Sequence, residues 1–186
     1  MSQTTTESAP ATFTAGVWTI DPSHSNVDFV VRHLMVSKVR GRFHDVSGTI
    51  TAGSDPLKST VEATIVVKSV DTGSADRDNH LRTNDFFAAD TYPTITFAST
   101  GIKRAGGDYK LVGDLTIKGI TKRVELDLEF NGATGDPWGG TRAGFSASGE
   151  INRRDFGVEF NATLETGGVV VGDRVRLELE IEAIKA

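Results

Sequence analysis

Two segments of the chain alternate apolar and charged residues with a strict period of two. In "TKRVELDLEF", Val124, Leu126, Leu128 and Phe130 are separated by Glu125, Asp127 and Glu129. In "DRVRLELEIEAIKA", Val175, Leu177, Leu179 and Ile181 are separated by Arg176, Glu178 and Glu180. On an extended strand this spacing gathers every apolar side chain on one face; on a helix it would spread them around the axis. The segments predict half-buried strands, one face dry and one wet. Less regular runs follow the same rhythm: "GVWTI", "NVDFVVRHL", "VRGRFHDVSGTITA", "STVEATIVVKSV", "TITFASTGIKR", "DYKLVGDLTIKG" and "TRAGFSASGEI". Turn chemistry separates them at "GSDP" (53–56), "AGGD" (105–108), "KGIT" (118–121), "TGDPWGG" (134–140) and "VGD" (171–173). Eight or nine strands at even spacing predict an all-β fold, a barrel or a sandwich.

One stretch breaks the rhythm. "SADRDNHLRTNDFF" (74–87) reads as a short helix over about 75–83, with Ser74 as N-cap and Asp76 near the positive end of the dipole. Asp78 and Arg82 stand four residues apart in the favourable order, and Asn84 is a C-terminal stop.

The inward phase of several strands mixes large and small residues. Examples are Tyr109, Leu111, Gly113, Leu115 and Ile117; Ala143, Phe145, Ala147, Gly149 and Ile151; and Ile95, Phe97, Ser99 and Gly101. An eight-strand barrel is just wide enough to be filled by side chains or to hold one small ligand. The small residues either leave an apolar tube or accommodate barrel taper.

Composition removes whole classes of function. Without cysteine there is no disulfide, thiolate metal site or Cys nucleophile. A formal charge of −5 gives no general attraction to nucleic acid. No run approaches the length of a membrane-spanning helix. Residues 1–15 are rich in Ser, Thr and Ala and read as a flexible tail, with the domain over 16–186. The tail has neither a basic n-region nor an apolar h-region, so a cytoplasmic location is expected.

The four histidines, His24, His33, His44 and His80, match no zinc spacing, and no metal site is expected. His24 and His33 read as lying on one strand, with His33 in phase with Phe29 and Val31 and pointing inward near its end. "GFSASG" resembles a nucleophile elbow only loosely, and phosphate-loop, dinucleotide and EF-hand motifs are absent, so no cofactor and no catalytic residue is assigned. The Asp/Arg/His crowd of 76–85 reads as a structural network or a polar collar at a tube mouth. The alternative is an enzyme modifying a lipid headgroup, using His80 with Asp78 or Asp85.

Four blocks together resemble a known family. "WTIDPSHSNVDFVVRHLMVSKVRGRFHDVSGTI" (18–50), "SVDTGSADRDNHLRTNDFFAADTYPTITFAST" (69–100), "GDLTIKGITKRVELDLEF" (113–130) and "FSASGEINRRDFGV" (145–158) are similar to the YceI-like, polyisoprenoid-binding family and run in its order. The resemblance implies an extended antiparallel, lipocalin-like β-barrel that holds a long-chain isoprenoid, of polyprenyl or quinone type, or a similar lipid. It also implies a binder rather than an enzyme; many relatives act in the periplasm. On that footing the lining is expected to include Phe29, Val31, His33, Phe43, Phe97, Leu115, Ile117, Phe145 and Phe156. Phe86 and Phe87 are expected near the mouth, and Arg77, His80 and Arg82 at the headgroup end. A homodimer is compatible with this reading.

Overall fold

The computed structural model describes residues 12–186. Eleven strand segments form one antiparallel sheet: β1 (Gly16–Ile20), β2 (Asn26–His33), β3 (Ser37–Phe43), β4 (Val46–Ala52), β5 (Thr60–Val66), β6 (Val70–Asp71), β7 (Thr94–Ala105), β8 (Asp108–Ile117), β9 (Ile120–Gly135), β10 (Thr141–Asn152) and β11 (Val171–Lys185). The ring β1-β4-β5-β7-β8-β9-β10-β11 closes where Trp18 of β1 meets Lys185 of β11. Closure removes the sheet edges that eight open strands would leave.

The extra segments arise because three long staves are interrupted. β1 and β2 both pair with β11 and are separated by the turn 21–25; β3 and β4 are separated by His44 and Asp45; β5 and β6 are separated by a short 3₁₀ turn, Val67–Ser69. His24 therefore lies in a turn, not on the strand that carries His33. "VGD" is no turn either: it is the start of β11, irregular between Val171 and Val175.

The period-two segments behave as their alternation demands. Val124, Leu126, Leu128 and Phe130 of β9, and Val175, Leu177, Leu179 and Ile181 of β11, all face the interior. Irregularities reset the phase elsewhere. Between Ser99 and Gly101 the β7–β8 register shifts, and Ile102 reaches the interior where the sequence phase put Gly101.

The one α-helix among the described residues, α1 (Ala75–Leu81), follows β6 and covers one end of the barrel, with Ser74 Oγ accepting from the Arg77 amide at 3.4 Å. It is shorter than 75–83 because Arg82 is already its C-cap. Asp78 does not pair with Arg82. It is buried and accepts from the Thr72 amide (2.8 Å) and hydroxyl (2.6 Å), tying the helix to the strand before it.

At the other end Trp18 is fully buried, and its indole N–H donates to Thr14 O at 3.0 Å. Residues 1–11 of the expected tail lie outside the described residues. Phe13, within that tail, packs its ring 5.0 Å from Trp18, 5.2 Å from Phe145 and 5.8 Å from Phe130. No helix among the described residues is long and apolar enough to cross a membrane.

Candidate functional site: an apolar tube

The barrel encloses a cavity of about 490 Å³. Its wall runs from Phe13, Phe130 and Phe145 at one end to Leu81, Phe86, Phe87 and Phe156 at the helix end. Among the forty residues that border it, only Asp28, Ser59, Tyr109 and Arg153 carry polar side-chain atoms. Asp28 spends its carboxylate on Arg42, in a two-pronged pair of 2.7 and 2.9 Å. A polar ligand would lose its hydration here without replacement, whereas a hydrocarbon gains about 0.8 kcal/mol per methylene buried.

The small inward residues have two fates. Gly41 and Gly113 leave no void: a Cβ at either would collide with the ring of Phe29 or Phe97 lying across it from the next strand. Gly149 is capped by Leu126 Cδ2, 2.8 Å from where its Cβ would stand. Ala63 and Ala147, in contrast, border open space. The tube survives at these alanines, while the glycines give room to aromatic walls.

Of the residues singled out in the sequence, Phe29, Val31, Phe43, Phe86, Phe87, Phe97, Leu115, Ile117, Phe145 and Phe156 border the cavity. His33, Arg77, His80 and Arg82 do not. His33 ends β2 opposite Val171. Arg77 donates to Thr72 Oγ1 (2.7 Å) and Thr72 O (2.8 Å). Arg82 donates to Lys68 O (3.2 Å), Asn79 Oδ1 (3.0 Å) and Val70 O (3.1 Å). Both arginines fasten the helix to neighbouring backbone. His80 meets Asp85 at 2.8 Å and sets its ring edge-on to Phe86 and Phe160, outside the lining. Asp78, the other acid considered with it, faces Thr72.

Sequence reasoning passes over two polar clusters. Arg153 is buried and lines the helix end of the tube, yet its donors are spent on Gly172 O (2.9 Å), Val158 O (2.8 Å), Phe160 O (2.9 Å) and Val171 O (3.3 Å). Burial lowers the pKa of its guanidinium, opposed by the charge of Asp173. It holds the long connection between β10 and β11 in place. "INRRDFG" contains the residue but carries no signal that separates Arg153 from Arg154.

The second cluster lies outside the tube. Asp21 Oδ2 accepts from Arg142 Nη1 (2.8 Å) and meets His24 Nδ1 (2.8 Å), while Arg142 also donates to Glu182 Oε1 (2.5 Å) and Asp136 Oδ2 (3.1 Å). The His24 bond, then those from Arg142 and Ser23, hold the Asp21 carboxyl far below the usual range against the opposing effect of burial. Asp21, His24 and Glu182 could offer ligand atoms to a metal, lying within 4.8 Å of one another. The Arg142 guanidinium already supplies the positive charge there. The links that join Asp21, Arg142 and Glu182 cross 121 and 40 residues of sequence and give no local pattern to read.

At the helix end β3 carries a free strand edge. β3 pairs with β6 only through Arg42 and Phe43, so its edge from Ser37 to Gly41 faces no strand among the described residues. Phe29, Val31, Phe43 and Phe87 border the tube beside it.

Comparison with known proteins agrees with this architecture. The YceI-like domain model matches residues 18–183. UPF0312 protein SAS2572 of Staphylococcus aureus (strain MSSA476) is 44% identical over 170 residues, covering 89% of this chain and 95% of that one. Burkholderia cenocepacia BcnA superposes with a TM-score of 0.75 at 28% identity, covering 88% of this chain and 98% of its own. The Campylobacter jejuni YceI protein superposes with a TM-score of 0.69 at 34% identity, covering 83% and 90%. A polyisoprenoid-binding domain from Saccharophagus degradans shares the fold at a TM-score of 0.70 and 19% identity, covering 91% and 98%. With its closed eight-strand barrel, single short helix and a match spanning nearly all described residues, the chain belongs to the YceI-like family.

Proposed function

We propose that the protein binds one long single-chain lipid of isoprenoid type inside the barrel and carries or sequesters it without chemical change. The observation that carries this reading is the length and dryness of the tube. From Val171 to Ile181 the wall spans ten residue steps; at ~3.3 Å per residue and a tilt of ~40° this is a height of roughly 25 Å. Nearly every side chain along that height is apolar, so an extended hydrocarbon can be buried over its whole length while a polar ligand finds no partners. The volume also falls within the ~300–1,000 Å³ typical of ligand pockets.

Energetics favour length. Association costs at least ~4 kcal/mol in lost freedom, so a ligand held by burial alone needs many methylenes at about 0.8 kcal/mol each. The name of the S. degradans neighbour supports an isoprenoid as that chain, and branched isoprene units suit a wall of Phe, Leu, Ile and Val. A headgroup-modifying enzyme is the weaker reading, because His80 and Asp85 pair with each other away from the lining and Asp78 is committed to Thr72.

The test fills the tube at mid-height. Ala147, between Leu128 and Leu179 in the register, borders open space. Ala147→Trp is expected to fold and to lose at least tenfold in affinity for farnesol by tryptophan-independent calorimetry. A folded Ala147→Trp protein with unchanged farnesol affinity overturns the proposal.

A further inference from the structure

The tip of the β2–β3 hairpin is built against local stability in three ways. Its turn is closed by the Val36 amide donating to His33 O at 3.2 Å, with Leu34 at φ 53° and Met35 at φ 60°. A turn left-handed at both central positions is ordinarily filled by Asn-Gly, because a Cβ is disfavoured there. The chain uses glycine for this elsewhere: the Lys118–Gly119 turn has Gly119 at φ 74°. Second, the tip exposes apolar surface. Met35 is 52% and Val36 82% exposed. Third, Arg32 and Lys38 stand directly opposite each other below the turn, both exposed. Like charges at paired positions repel, and among the described residues neither has a carboxylate partner, whereas nearby Arg40 pairs with Glu178 at 2.9 Å.

Strained backbone, exposed apolar side chains and unpaired like charge at one spot are the mark of a surface kept for a partner. The spot is placed for a purpose. Val31, two residues below the turn, borders the tube, Leu34 N–H donates to Val170 O, and the open edge of β3 begins at Ser37.

We infer that this hairpin tip docks the protein on an anionic lipid bilayer, Met35 and Val36 entering the acyl boundary while Arg32 and Lys38 meet anionic headgroups. The partner is chosen by charge complementarity: an apolar tip alone would suit a protein groove, but the pair of cations without carboxylate partners beside it, Arg32 and Lys38, suits a negative membrane surface. Docked this way, the free edge of β3 and the end of the tube bordered by Val31 lie next to the membrane, which shortens the path of a chain from the bilayer to the tube. Only this consequence rests on the lipid-binding reading; the docking does not.

The test uses the full chain and vesicles of phosphatidylcholine alone or mixed with phosphatidylglycerol, read by flotation. The protein is expected to float with phosphatidylglycerol vesicles in low salt, to release in high salt, and to bind phosphatidylcholine alone at least tenfold more weakly. Arg32→Glu with Lys38→Glu removes flotation, since each cation near the surface is worth about fivefold in affinity. The deciding variant is Leu34→Asn with Met35→Gly. It gives the turn its preferred residues, so it is expected to melt higher than the parent while losing flotation, a combination that misfolding cannot produce. Flotation retained in that variant overturns the inference, as does a parent protein that never floats. A parent that dimerises in solution through the tip, with the dimer lost in the same variant, overturns it in favour of a second copy. Farnesol affinity measured in parallel separates the two claims: flotation without farnesol binding sinks the lipid-carrier reading alone, and farnesol binding without flotation sinks the docking alone.

Discussion

The ring of Phe29 lies across Gly41 on the neighbouring strand, occupying the place where a Cβ at residue 41 would stand. The same relationship joins Phe97 to Gly113. Aromatic walls in this barrel therefore depend on glycine opposite them. Gly41→Ala has to push the Phe29 ring toward the tube. Destabilisation of about 1–3 kcal/mol, the range for overpacking, is expected from urea unfolding, together with weaker farnesol binding. An unchanged affinity would mean that the ring moves elsewhere.

Phe13 closes the end of the tube away from the helix. It is held against Trp18, Phe130 and Phe145, and it lies ahead of the family match, which begins at residue 18. If a chain occupies the tube, Phe13 is expected to act as the floor that limits its length. For a series of linear alcohols from octanol upward, affinity is expected to rise about fourfold per added methylene and then level off. Phe13→Ala should move the plateau to longer alcohols by several carbons, read by calorimetry. A plateau at the same length in both proteins contradicts the role.

Arg153 holds four carbonyl oxygens of the segment 158–172 from a buried position. Arg153→Met removes the guanidinium donors from those acceptors, of which Val171 O alone keeps a side-chain donor, Asn161 Nδ2 at 2.8 Å, and is expected to cost about 3–5 kcal/mol. Hydrogen exchange should show the loss first in that segment. Arg153→Lys should recover only a small part, because an ammonium cannot reproduce the planar fork.

The Asp21 carboxyl provides a pH dependence. Its folded pKa is depressed, so its contribution is fully present above the unfolded value near 3.9 and is lost as pH falls toward the folded value. Stability of the parent protein should therefore decline from about pH 4 downward. Asp21→Asn is expected to be less stable at neutral pH and to show a shallower decline, in urea titrations at stepped pH. Parallel curves for the two proteins would remove Asp21 from the account.

Much of this molecule is legible before folding, for reasons that differ by residue. Val124 to Phe130 and Val175 to Ile181 announce their inward face because period two and half-burial are one constraint. Ser74 announces the helix start because capping is local chemistry. His80, Arg77 and Arg82 drew attention by crowding, yet the structure uses them to fasten the helix, and sequence spacing cannot tell a fastening from a headgroup site. Asp21, Arg142 and Glu182 are brought together only by barrel closure, and Arg153 acts on backbone carbonyls, which no side-chain pattern announces. Phe13 is a lone aromatic in a polar stretch, and apart from Trp18 its ring contacts come from strands more than a hundred residues away.

Whether a single hydrocarbon chain occupies the barrel is decided by native mass spectrometry of protein purified without detergent, followed by organic extraction of the same sample. One bound lipid per chain is expected, released on unfolding, with a single long apolar tail of isoprenoid type. A native mass equal to that of the bare polypeptide, with no lipid in the extract, would contradict it.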